Sequence, residues 1–184
     1  MKKVLDKLNG YAYRQEYLCL ADEPFTDPLQ AYIVNGDNVT QQHLFVGYCP
    51  LIFAFPRASK EERLEMRFMQ SNANALASLE LRKINQQGSI SYFEGTSAHH
   101  HFLPRVHQWI NGLNNRLYQQ KLGNVYLDNR LYPQVQTAYA LPRRISLISL
   151  QLNGGFNLFP TDLHGQINPD QYIISLRHAG MACK

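Results

Sequence analysis

The spacing of apolar residues changes twice along the chain: strand-like at first, helical in the middle, and strand-like again from Asn124. After Pro104, the residues Val106, Trp109, Ile110, Leu113 and Leu117 fall at i, i+3, i+4, i+7 and i+11, which is one face of a helix. Pro104 suits a first helical turn, where its missing N–H costs nothing. Gly123 behind Lys121-Leu122 marks a stop. Gly112, inside the pattern, costs about 1 kcal/mol relative to Ala. A further helix is expected from Ser59. Ser59 and Glu62 have the S-x-x-E spacing of a capping box, in which hydroxyl and carboxylate satisfy each other's backbone amides. Leu64, Met66, Phe68 and Met69 come next, and Leu76, Leu79 and Ile84 resume the apolar pattern after Asn72-Ala-Asn-Ala. One long helix or two broken near Ser71 both fit.

The β-like segments are shorter. Tyr17 to Leu20 is an apolar run, and Pro24 and Pro28 punctuate the chain behind it. Gln30 to Val34 is a strand candidate, with the turn signal Asn35-Gly36-Asp37-Asn38 after it. Leu44 to Phe55 resumes the β pattern behind that turn, and the two segments read as a hairpin whose second strand is broken or bulged near Pro50. Ser89 to Phe93 alternates as a short strand, with Glu94 to Ser97 as a loop behind it. Val125 to Leu127, Gln134 to Leu141, Ile145 to Leu152 and Tyr172 to Leu176 are closely spaced strand candidates, the pattern of an antiparallel sheet or barrel.

Composition narrows the function classes. Of 184 residues, 45% are hydrophobic and only 17% are charged, which excludes a disordered polyelectrolyte. Polarity comes from 15 Gln and 14 Asn instead. The net charge of +4 is scattered, with small groups at Lys2-Lys3, Arg82-Lys83 and Arg143-Arg144. A nucleic-acid binder concentrates its charge in a stripe, so no nucleic-acid partner is expected. Three cysteines, Cys19, Cys49 and Cys183, contain no CxxC and disfavour a disulfide framework or metal ribbon. No apolar core stands behind Met1-Lys2-Lys3, and the apolar stretch from Leu44 to Phe55 is too short for a bilayer. A soluble, cytoplasmic protein is the expectation.

The most visible polar cluster is His99-His100-His101, with His107 beyond it and Glu94 as the nearest carboxylate. Imidazoles suit zinc, but consecutive histidines cannot all face one point in a regular element. A polar loop leading into a helix is the favoured reading, and a metal-dependent hydrolase on these four histidines is the third function class considered. There is no G-x-S-x-G elbow, no G-x-G-x-x-G and no P-loop.

The last forty residues carry more. Two apolar strands, Ile145 to Leu152 and Tyr172 to Leu176, flank a polar crossing with Asn157, Thr161, Asp162 and His164, and Ser175 and Arg177 close it. Hydroxyls and amides suit the polar edge of a ring, and an arginine suits a phosphate. A decorated hairpin loop is the plain alternative.

This segment, from about Val125 to Lys184, resembles the flavin reductase-like family, whose fold is the FMN-binding split barrel. The resemblance implies noncovalent FMN bound through Asn157, Thr161 and Arg177, with His164 and Ser175 as weaker contacts. It implies a homodimer, reduction of flavin or a related acceptor by NAD(P)H, and a partner oxygenase. Asp162 and His164 depart from the commoner pattern and point to substrate or structure instead. The matched region holds only opening strands, so further strands are expected after Lys184 or from residues 1–124. The expected fold is therefore α+β: an N-terminal mixed α/β region over 1–124, then antiparallel split-barrel strands over 125–184 that do not close a barrel by themselves. The alternative function is a non-catalytic binding module of the same architecture, since a fold does not fix a function.

Overall fold

The computed structural model describes residues 30–33, 37–40, 44–70, 75–101, 104–118, 127, 130–139, 145–152 and 154–176. Among them, ten strands and two helices run in the order β1 (Gln30–Ile33), β2 (Leu44–Tyr48), β3 (Leu51–Phe55), β4 (Arg63–Met69), β5 (Ala75–Gln87), β6 (Ile90–His100), α1 (Arg105–Tyr118), α2 (Leu131–Tyr139), β7 (Ser146–Leu152), β8 (Gly155–Thr161), β9 (His164–Asn168) and β10 (Gln171–Ile174). The first six form one antiparallel sheet in the order β1-β4-β5-β6-β3-β2. The pairs β7–β8 and β9–β10 are separate two-stranded ribbons. The fold is α+β and mainly antiparallel.

The helix expected from Ser59 is not formed; its residues are β4 and β5. Leu64, Met66 and Phe68 are buried, and alternate with Arg63, Glu65 and Arg67. Ala77, Leu79 and Leu81 alternate with Ser78, Glu80 and Arg82 in the same way. A period of two places one set on each face of a sheet, whereas a helix would scatter both around its axis. The local cap signal lost to this alternation. Ser59 Oγ accepts from the Glu61 amide at 3.2 Å, a turn into a strand rather than a helix cap.

The apolar set of β3 to β6 builds one core with Leu51, Phe53, Phe55 and Phe93, and Phe55 meets Phe93 edge to face at 5.6 Å. Helix α2 covers this face, with Leu131 and Ala138 packed into the same cluster. Gln134 to Leu141 was expected as a strand; residues to Tyr139 are helical instead. Leu131, Val135 and Ala138 fall at i, i+4 and i+7, a stripe that only a helix can bring onto the sheet. Packing on the sheet overrides the β preference of Val135 and Thr137. Gly95 of β6 is what lets α2 approach, because a Cβ there would overlap Gln134 Oε1 and come within 3.1 Å of Leu51 Cδ2. The core crosses the 124/125 boundary, since Ala138, Leu131 and Leu163 join residues of β1 and β3–β5.

The reverse face is polar, with Glu65 paired to Arg67 at 2.9 Å and Arg82 to Glu94, its register partner, at 3.0 Å. At one corner it turns apolar: Ala54 and Ile90 are buried there, with Val46, Tyr92, Ile167 and Ile173 against them. That corner is where β9 lies beside β2.

The helix after Pro104 is as expected. The hairpin expected between Gln30 to Val34 and Leu44 to Phe55 is not formed: β1 pairs with β4, and Leu44 to Phe55 folds back on itself as β2 and β3 with Pro50, which cannot donate to a ladder, in the turn. The loop expected over Glu94 to Ser97 is a bulge inside β6. Glu80 pairs with Ser97 and Leu81 with Gly95, which leaves Thr96 as the extra residue, its Oγ1 donating to the Glu80 carbonyl at 3.1 Å. The polar crossing from Asn157 to Thr161 is strand β8, paired along its length with β7. Of Val125 to Leu127, only Leu127 is described; it is buried and belongs to no element. The readings at Tyr17 to Leu20, Gly123 and Arg143-Arg144 lie outside the described residues.

Candidate functional site

The Thr96 bulge decides which histidine reaches the interior. Before it, Phe93 and Gly95 face the helix-covered side. A bulged residue shifts the alternation by one. Behind it, Ala98 and His100 pair with Leu79 and Ala77 and share their buried face, while His99 pairs with Ser78 on the polar face. His100 is accordingly buried, and His99 and His101 are exposed. The His101 amide donates to the Leu76 carbonyl at 2.8 Å and fixes the strand end.

Beside His100 the chain turns at Pro104 into α1, and α2 passes across. The three elements enclose a cleft of about 690 Å3, lined among others by His99, His100, Arg105, Gln108, Tyr132 and Gln136. That volume falls within the range of small-ligand sites, ~300–1,000 Å3. Gly112 forms part of the wall, and a side chain built on it would meet nothing within 4 Å.

The cleft carries donors of three kinds. Burial, then the charges of His101 and His99, lowers the pKa of His100 to about 4, so at neutral pH it is an uncharged imidazole. Burial pushes the Tyr132 phenol up to about 12, so it keeps its proton. Gln136 Nε2, one helical turn on, donates to the Tyr132 oxygen at 3.0 Å and leaves the phenolic O–H to donate elsewhere. Gln108 Nε2 donates to the His100 carbonyl at 3.3 Å, holding α1 to the strand end. Arg105 adds a permanent cation at the mouth. This set presents N–H and O–H donors and a guanidinium, the groups that suit oxygen acceptors and anions. Among the described residues no three His, Cys, Asp or Glu side chains come together as a metal site.

The five residues expected to hold flavin divide differently. Asn157 sits in β8 opposite Leu150 and is half-buried. Thr161, four residues on, is about 13 Å further along the strand at ~3.3 Å per residue. Thr161 Oγ1 accepts from the Leu163 amide at 3.1 Å, and the Ser175 amide donates to the Leu163 carbonyl at 2.9 Å. His164 opens β9 with its ring stacked on Tyr172, centroids 5.6 Å apart and planes 16° apart, and its Nδ1 hydrogen-bonded to the Tyr172 hydroxyl. Thr161, His164 and Ser175 therefore meet around one turn, and Asn157 does not join them. Arg177 lies outside the described residues. In this turn the Thr161 hydroxyl is engaged by backbone, and Asp162 adds negative charge. These residues fit a ring edge and a stacking face; those of the cleft fit an anionic or carbonyl oxygen.

Tyr132, Gln136, Gln108 and Arg105 were not singled out in the sequence. The one available signal was the i, i+4 spacing of Tyr132 and Gln136, which has meaning only once 131–139 is helical. Among the described residues no helix is long and apolar enough to cross a membrane. No family model, no curated protein and no solved structure matches the chain.

Proposed function

We propose that this chain is a small-molecule-binding protein whose ligand sits in the cleft between the end of β6, α1 and α2, and presents an anionic or carbonyl oxygen to Tyr132 and Arg105. The observation that carries the reading is the oriented phenol: its proton is retained, its oxygen already accepts from Gln136, and it lines a cleft of ligand size. A protonated donor whose own acceptor is satisfied loses little on ligand binding and leaves nothing unpaired. FMN, the cofactor named by the C-terminal resemblance, belongs to this chemical class, with ring carbonyls and a phosphate. When bound, the flavin supplies the hydride chemistry, and the residues of this chain bind and orient it.

A second reading places the flavin ring at the turn after β8, on the stacked pair of His164 and Tyr172. The parallel rings there favour it, because a planar heterocycle extends such a stack.

Titration of FMN fluorescence tests both. The cleft reading expects binding that weakens roughly tenfold in Tyr132→Phe, which removes one hydrogen bond, and is abolished in Gly112→Phe, which fills the space. The turn reading expects both variants to bind normally and Tyr172→Ala to fail. Absence of FMN binding in the wild type removes flavin from both readings. Consumption of NADH or NADPH with FMN present separates a reductase from a module that holds flavin without turnover.

A further inference from the structure

Helix α1 turns its apolar stripe outward. Val106, Trp109, Leu113 and Leu117 fall at i, i+3, i+7 and i+11 along its 14 residues and share one face. Val106 is 66%, Trp109 66% and Leu117 41% exposed, and Leu113 is half-buried. The side that meets the rest of the molecule carries Ile110 and, beside it, Asn111, each 6% exposed, with Gln108 bonded to the His100 carbonyl. A helix whose only role is to cover a core buries its apolar stripe and exposes its amides. Here an amide is buried and an indole stands in solvent, an arrangement that marks an interaction face.

Charge selects the occupant. Between Glu94 and Asp128 the sequence contains no Asp or Glu, whereas it contains Arg105, Arg116 and Lys121. The first turn of α1 is no exception, although a carboxylate there would suit the helix dipole. Arg105 is exposed one turn ahead of Trp109, at the border of the stripe. An uncharged apolar partner gains nothing from these cations, and a second copy of the chain would oppose them with its own. The occupant is therefore anionic, with an apolar layer beneath its charges.

A phospholipid surface has both in that order, phosphates outside and acyl chains below. Indole rings favour that boundary, where one edge is wet and the ring face is apolar. A guanidinium there matches phosphate oxygens in a bidentate way. None of the four stripe residues lines the cleft, so the stripe is the convex outer side of the helix, a shape that lies on a fluid surface. At about 1.5 Å per residue the helix is about 21 Å long. That is too short to cross a hydrocarbon layer of ~30 Å and long enough to lie along it.

We propose that α1 docks the protein on a membrane surface bearing anionic phospholipids. The helix lies in the interface plane, with Val106, Trp109, Leu113 and Leu117 at the acyl boundary and Arg105 at the phosphates. Docking does not depend on what the cleft binds. Trp109 is the single tryptophan of the chain, so its fluorescence reports on this face alone. The full chain is mixed with phosphatidylcholine vesicles, with and without phosphatidylglycerol, and followed by co-sedimentation and Trp109 emission. With phosphatidylglycerol, sedimentation, a blue shift and protection from acrylamide quenching are expected, all weakened by raised salt. Phosphatidylcholine alone is expected to bind roughly tenfold or more weakly. Val106→Asp and Leu117→Asp, both at exposed positions, are each expected to lose roughly tenfold in affinity with unchanged circular dichroism. Phe156→Ser, at an exposed position on β8, is expected to bind as wild type. A chain that ignores both vesicles overturns the proposal, as does equal binding to both, binding insensitive to both helix variants, or binding lost in Phe156→Ser alone. A shift of Trp109 emission by polyglutamate but not by vesicles overturns it too, and assigns the face to an acidic protein.

Discussion

The six-stranded sheet and the β7–β8 ribbon use the same antiparallel pairing, yet they present opposite surfaces. In the sheet, Phe53, Phe55, Phe68 and Phe93 are all at 2% exposure or less, because α2 lies over them. In the ribbon, Phe156 and Leu158 face outward. Backbone pairing satisfies amides and carbonyls in both places, but its net contribution is modest. Burial of apolar area supplies most of the stabilisation, and only the sheet has it in full. Substitutions of the same kind are therefore expected to differ most between these two regions.

The largest contrast is between two phenylalanines. Phe93→Ala removes a ring enclosed by the core and is expected to cost about 3–5 kcal/mol in urea unfolding. Phe156→Ala, at an exposed position, is expected to stay within ~0.5 kcal/mol of wild type. Equal effects would mean that the ribbon face is covered.

Next comes proton uptake at the buried end of β6. An unfolded His100 gains its proton near the ordinary value of 6.5, whereas the folded one stays neutral down to about 4. Below pH 6.5 the unfolded state binds more protons, so stability is lost as pH falls from about 6.5 to about 4 and is level above that window. The loss is of the order of 2 kcal/mol. His100→Asn is expected to flatten that part of the profile, read as urea midpoints between pH 7 and pH 4.5. An unchanged slope would mean that His100 is solvated.

How much of this was readable in the sequence depends on the range over which each signal acts. The break at Pro50 was legible because a proline acts over a few residues, whereas the pairing of Gln30–Ile33 with β4 instead of with 44–55 was not, because that partner lies far away in sequence. Helix α1 was legible because its apolar spacing is regular over three turns. The strands β4 and β5 were misread because a two-residue capping signal outweighed a period-two pattern at Leu64, Met66 and Phe68. Helix α2 was misread because its β-branched residues are overruled by packing on a sheet whose strands lie far away in sequence. The cleft was beyond reach for a related reason. The inward position of His100 depends on one extra residue, Thr96, and that bulge exists only against β5. At the C-terminus, Asn157 and Thr161 were read with Arg177 as the main contacts and His164 and Ser175 as weaker ones; Thr161, His164 and Ser175 lie around one turn, and Asn157 lies along β8 away from it.

Two glycines sharpen the same comparison at smaller magnitude. Gly95→Ala pushes a methyl group into Gln134 and Leu51 and is expected to cost about 1–3 kcal/mol. In a Gln134→Ala background, which withdraws the obstructing amide, the cost is expected to shrink, and a double-mutant cycle measures the difference. Gly112→Ala, in a helix with open space beside it, is expected to stabilise by about 0.5–1 kcal/mol. Opposite signs at two glycines, one under α2 and one on the cleft wall, would distinguish a close approach of backbone from open space.

The smallest effect tests the ribbon region on its own terms. Thr161→Val keeps the shape of the side chain and removes the oxygen that accepts from the Leu163 amide. One partly exposed hydrogen bond contributes about 0.5–1.5 kcal/mol, and water can replace much of it here. Global unfolding is therefore expected to change by less than about 1 kcal/mol, while amide exchange at Leu163 and Ser175 rises, because their bonds close the same turn. Leu163 also packs against the main core, so this turn is where ribbon and sheet are coupled. A Thr161→Val variant that raised exchange at Phe93 as much as at Leu163 would show that the two regions unfold as one unit. Exchange confined to the turn would show that the sheet under α2 holds without it.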